Sequence, residues 1–144
     1  MTTISEVQQE IVEEFSIFED WMDKYDYLID LGKDLPQIDT RFKTNEYLIK
    51  GCQSKVWINA EYEDGKVNYY ADSDAIITKG IIALLIRALS GRTPAEVVDS
   101  ELDFIDEIGL KENLSPTRAN GLLAMIKQMK LYAVAYNARY GQKS

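Results

Sequence analysis

A change of hydrophobic period at residue 56 constrains this chain more than any other feature. From there Val56, Ile58, Ala60 and Tyr62 alternate with Trp57, Asn59 and Glu61, the pattern of a half-buried strand. The run stops at Asp64 and Gly65, a pair suited to the positive φ angles of a two-residue type I′ turn. Pairing Glu63 with Lys66 across that turn sets Tyr62 opposite Val67, Ala60 opposite Tyr69 and Ile58 opposite Ala71. Both apolar sets then share one face, and a one-residue slip would turn all of them outward. The hairpin is well specified, and the rest of the chain must cover it. Residues 47–50 are expected to add a short third strand.

Elsewhere the period is helical. Ile4, Val7, Ile11, Phe15 and Phe18 recur at three and four, predicting an amphipathic first helix. Trp21, Tyr25, Leu28 and Ile29 form a second stripe, with Gly32 expected as its C-cap and Pro36 just beyond. Residues 37–46 are polar and read as irregular. After the hairpin, 75–89 is apolar nearly all round, as a helix buried against the sheet should be. Asp72 and Asp74 read as turn and N-cap residues ahead of it. Gly91, Pro94 and Gly109 bracket two short helices near 94–98 and 102–107. Ser115 and Pro116 then read as N-cap and first residue of a long final helix. The expected fold is α+β: a small antiparallel sheet of about three strands packed against several helices. With no repeat or linker, 1–144 is expected to be one domain.

Composition narrows the function. The chain has 144 residues, one cysteine, no histidine and a net charge of −8. Residues 1–40 hold eleven acids and two bases, whereas 41–55 carry Arg41, Lys43, Lys50 and Lys55 against Glu46 alone. An acidic protein with one short basic island is not expected to bind nucleic acid, which needs clustered cations. The 75–89 run is too short for a membrane span and carries Lys79 and Arg87. No secretory leader is read at the start, and one cysteine makes no internal disulfide, so the cytoplasm is the expected compartment. Without histidine there is no Cys–His or Ser–His–Asp machinery. One cysteine cannot supply an ordinary zinc or iron–sulfur ligand set, and no glycine-rich phosphate loop is present, so no metal or resident cofactor is expected.

Cys52 is left. A lone cysteine is ordinarily a small buried hydrophobe, but this one stands in KGCQSKVWI (50–58), between a glycine and two polar residues. Lys50 and Lys55 would favour its thiolate, whereas partial burial would oppose it. A nucleophile with no resident acid or base suits a reaction whose other half belongs to a partner.

The motif GCQSKVWI resembles the signature of the SufE family, the sulfur-acceptor partners of cysteine desulfurases. DKYDYLIDLGKDLP (23–36), DSDAIITKG (72–80) and LSPTRANGL (114–122) match the family's other blocks in the same order. Ser115 stands where threonine is usual, and Thr117 and Ala119 fall at variable places. The resemblance implies a SufE/IscU-like fold and a carrier role. A SufS-like, pyridoxal-phosphate-dependent desulfurase would hand persulfide sulfur to Cys52, which would pass it to an iron–sulfur scaffold of the SufBCD kind. It implies that Cys52 forms the persulfide. Gly51, Gln53, Ser54, Asp74 and Arg118 would support the Cys52 loop or dock the partner. Arg118 matches the arginine of the last block and falls in the first turn of a helix, where a cation opposes the macrodipole. Trp57 is expected to pack rather than to be displayed.

Two other readings stay open. Cys52 could be a redox-sensing thiol, although no resolving cysteine exists. Alternatively the protein is an interaction domain regulating a desulfurase, with an inert cysteine.

Overall fold

The computed structural model describes residues 3–36, 38–52 and 54–141. Its elements run α1 (Ile4–Ser16), α2 (Trp21–Lys33), a 3-10 turn (Thr40–Phe42), β1 (Val56–Glu63), β2 (Lys66–Ser73), α3 (Ile76–Leu89), α4 (Pro94–Asp99), α5 (Phe104–Glu107), a second 3-10 turn (Lys111–Asn113) and α6 (Pro116–Tyr140). The architecture is α+β, as expected.

The hairpin has the expected register, from Glu63 opposite Lys66 to Val56 opposite Ser73. Asp64 and Gly65 take φ of 53° and 79°, as a type I′ turn requires. Val56, Ile58 and Ala60 on β1 and Val67, Tyr69 and Ala71 on β2 are all buried. They join one core with α3, whose Ile81, Ile82, Leu84, Leu85 and Leu89 are also buried, and with α1 and α6. Trp57 sits on the other face, half-buried, with the Lys43 ammonium 5.7 Å from its ring.

The third strand expected at 47–50 is reduced to one bridge, Leu48 to Trp57. Ile49 N–H donates to the Val56 carbonyl at 2.8 Å, and Ile58 N–H donates to the Tyr47 carbonyl at 3.2 Å. Beyond that the β1 edge is closed by a helix. Tyr132 Oη donates to the Ile58 carbonyl and Tyr136 Oη to the Ala60 carbonyl, each at 3.0 Å. Two strand residues advance about 6.6 Å and four helical residues about 6 Å. The two tyrosines therefore match two successive outward carbonyls, and the edge needs no third strand.

A second departure concerns Gly32. It lies inside α2, and Asp34 is the C-cap. A Cβ on Gly32 would come within 2.8 Å of the Gly80 amide nitrogen, and one on Gly80 would overlap the Leu28 carbonyl. The two glycines form a notch that lets α2 and α3 approach backbone to backbone. The packing partner, 48 residues away in sequence, explains this glycine better than any local cap.

Candidate functional site

Cys52 lies on the loop between the Leu48 bridge and β1. Gly51 turns the chain there with φ of 93°, a conformation that disfavours any side chain. Its nearest neighbour would be the Ala124 Cβ at 3.7 Å, so the demand on this position is set by backbone geometry and not by space. The turn lays Cys52 against the first turns of α6. The thiol Sγ is 3.7 Å from the Gly121 carbonyl, which it faces as a weak donor. A Cβ on Gly121 would stand 3.2 Å from the same sulfur, so glycine is what allows the close seat.

Two features place α6 there. Ser115 accepts from the Arg118 amide at 3.2 Å and caps the helix, as its position before Pro116 predicted. The tyrosine contacts then fix the helix lengthwise along β1. The first turn of α6 is thereby held over the loop, and Arg118 lines a small pocket with Cys52 and Ser54. Thr78 of α3 and Thr117 and Gly121 of α6 complete its polar side, and Val56 and Met125 its apolar side. Its volume is about 20 Å³, room for about one water-sized atom.

Of the residues singled out from the sequence, the structure brings Cys52, Ser54 and Arg118 to one pocket, with Gly51 forming the turn. Gln53 lies outside the described residues. Asp74 is elsewhere and does something other than capping. Ala75 is the N-cap of α3, with no side-chain cap bond. Asp74 instead faces the loop: its Oδ1 accepts from the Lys55 amide at 3.0 Å, and its own amide donates to the Lys55 carbonyl at 3.2 Å. That two-way clasp pins the end of the cysteine loop to the start of α3. Asp72 is occupied by Lys43 at 2.5 Å and Lys79 at 3.3 Å.

The electrostatics correct one expectation. Lys50 and Lys55 are exposed and do not bring the thiol's pKa down. Cys52 is half-buried, and burial pushes its pKa above the ordinary thiol value. The resting group is a protected thiol rather than an activated thiolate. Arg118 has no carboxylate partner among the described residues. It is a cation beside a sulfur, with no acid lining the pocket.

Thr78, Thr117 and Gly121 went unnamed as site residues in the sequence. A hydroxyl in a largely apolar helix and a glycine inside the final helix were the available signals. Neither says which loop it will meet.

Comparison with known proteins identifies the family. The family model for SufE, the Fe-S metabolism associated domain, matches residues 9–133. SufE-like protein 1, chloroplastic/mitochondrial, of Arabidopsis thaliana is 44% identical over 88% of this chain, which spans only 34% of that protein's length. An uncharacterized SufE-like protein of Synechocystis is 43% identical, covering 88% of this chain and 79% of its own. The sulfur acceptor protein CsdE of Escherichia coli is 39% identical over 77% of each. The solution structure of a hypothetical protein from Thermus thermophilus shares the fold at a TM-score of 0.74, covering 90% of this chain and 94% of the other at 22% identity. Among the described residues no helix is long and apolar enough to cross a membrane. With a matched domain over most of its length and its thiol loop laid against the last helix, this chain belongs to the SufE family.

Proposed function

We propose that this protein is a sulfur acceptor and carrier in iron–sulfur metabolism. Cys52 takes sulfur from the persulfide of a partner cysteine desulfurase, stimulates that enzyme, and passes the sulfur to a cluster-assembly scaffold. The carrying observation is the site itself: the chain's one thiol, half-buried on a glycine-pivoted loop beside Arg118, with no histidine in the sequence. The name of the Escherichia coli relative, a sulfur acceptor protein, supports the reading.

The chemistry asks little of the acceptor. The Cys52 thiolate attacks the outer sulfur of the partner's persulfide, and a new sulfur–sulfur bond forms. The partner's own bond breaks, and its cysteine leaves as thiolate with the electron pair. No oxidant is needed, because the sulfur arrives at the persulfide level, and the rate depends on attacking and leaving thiolates rather than on a general base. The proton that Cys52 must first lose goes to solvent.

A thiol held back by burial has to be released for attack. Gly51 serves as the pivot, and the Asp74–Lys55 clasp marks where the moving segment ends. We assign Arg118 to the docked state, where it meets the partner or the transferring sulfur. The whole of 1–144 acts as one SufE-like domain in this reading, in a reducing compartment, with the cytoplasm as our assignment.

Intact-mass measurement after incubation with a cysteine desulfurase and cysteine tests the proposal. The protein should gain the mass of one sulfur, and Cys52→Ser should lose both that gain and the stimulation of desulfurase turnover while melting like the parent. Full stimulation by the serine variant would leave the protein an interaction domain and end the carrier reading.

A further inference from the structure

One polar group at the pocket is not used by the transfer step above. Thr78, in the first turn of α3, is only 5% exposed. Its hydroxyl has no hydrogen-bond partner among the described residues. The residue is buried, but its oxygen is not fully enclosed and stays open to a hydrogen-bond partner. The space available to it is the pocket it shares with Cys52. The hydroxyl is thus positioned for a partner that arrives later.

We propose that Thr78 donates a hydrogen bond to the outer sulfur of a Cys52 persulfide seated in this pocket, with Arg118 supplying the opposite charge. This rests on the sulfur-acceptor reading. Once Cys52 carries a second sulfur, its Sγ has no proton, and the Gly121 carbonyl 3.7 Å away loses its donor. The negative charge moves to the outer sulfur, which then needs donors and a cation. The pocket offers the hydroxyls of Thr78, Thr117 and Ser54 and the guanidinium of Arg118, and no carboxylate. Its volume of about 20 Å³ admits about one atom of roughly this size. Val56 and Met125 keep the other side dry, which strengthens a hydrogen bond to an anion. Among these donors Thr78 is the buried one, so it holds the sulfur at the end away from solvent.

The test pairs Thr78→Val, which keeps the shape and removes the hydroxyl, with Thr78→Ser, which keeps the hydroxyl and removes the methyl. Each protein is loaded with inorganic polysulfide, whose terminal sulfur passes to the Cys52 thiolate as the shortened polysulfide leaves. Loss of the added sulfur to dithiothreitol is then followed by intact mass. Losing a hydrogen bond to a charged group should speed that loss by about tenfold in the valine variant. The serine variant should stay within about twofold of the parent. Parent-like persistence in Thr78→Val would overturn the proposal, as would equal acceleration in both variants, which would mark a general disturbance of the pocket's packing rather than loss of the hydroxyl. Failure of the acceptor reading looks different: the parent would hold polysulfide sulfur yet take none from a desulfurase.

Discussion

The two ends of α6 touch the rest of the protein in opposite ways. Toward its C-terminal half, Tyr132 and Tyr136 donate strong hydrogen bonds to β1, and Tyr69 returns one to the Met129 carbonyl at 2.7 Å. Toward its start, the contact with the Cys52 loop is a thiol 3.7 Å from a carbonyl and a methyl beside a glycine. One end is a set of directional bonds to a buried strand. The other is a shape fit around a half-buried sulfur, with the Arg118 guanidinium lining the same pocket. The difference separates a fixed reference frame from a segment that can leave it at low cost, since regions with few buried apolar contacts open most readily.

Three measurements would break or sharpen that contrast. The largest effect is expected from Arg118→Ala, which should reduce desulfurase stimulation by about tenfold, the scale of one lost charged contact. Its unfolding free energy should change by less than about 0.5 kcal/mol, because the guanidinium has no carboxylate partner among the described residues. Equal losses of activity and stability would make Arg118 part of the frame.

A smaller effect should appear in thiol reactivity. Isolated Cys52 should be alkylated several-fold more slowly than free cysteine, on the order set by its reduced thiolate fraction. Because burial raises its pKa, the alkylation rate should keep rising at pH values where a free thiol has already levelled off. Binding of a desulfurase blocked from transfer should speed both alkylation and amide exchange at 50–55 and leave 56–63 protected. Rapid alkylation in the isolated protein, unchanged by the partner, would mean the loop is permanently open.

The smallest effect tests the other end. Tyr132→Phe should cost about 1 kcal/mol in urea unfolding and leave the alkylation rate of Cys52 as it was. A faster rate would show that the tyrosine bonds restrain the loop as well as the strand.

What the sequence made legible follows the range of the forces involved. The hairpin register was readable because a two-residue turn and a period of two allow one pairing. The Ser115 cap was readable because its partner, the Arg118 amide, is three residues away. Gly32 was misread because a glycine near a helix end has one local meaning, and only Gly80 across the interface gives it another. Asp74 was misread for the same reason, as its carboxylate serves Lys55 on a different loop. The two lysines around Cys52 looked like activators in sequence, but neighbours in the chain need not point at one another. Thr78 stayed hidden within an apolar helix, since nothing local says which residue faces a pocket.

The tyrosine closure of β1 has a consequence for how other chains can approach. A hairpin with an open edge invites a further strand, either from a partner or from a second copy. Here the outward carbonyls of Ile58 and Ala60 are taken by hydroxyls. On β2, Val67 exchanges hydrogen bonds with Gly91 and Arg92, and the Tyr69 amide is taken by Ser90. Backbone recruitment along these stretches would first have to displace those bonds. Recognition by strand addition, and the edge-to-edge aggregation that uses the same groups, are both disfavoured there, and a visiting protein is left to read side chains.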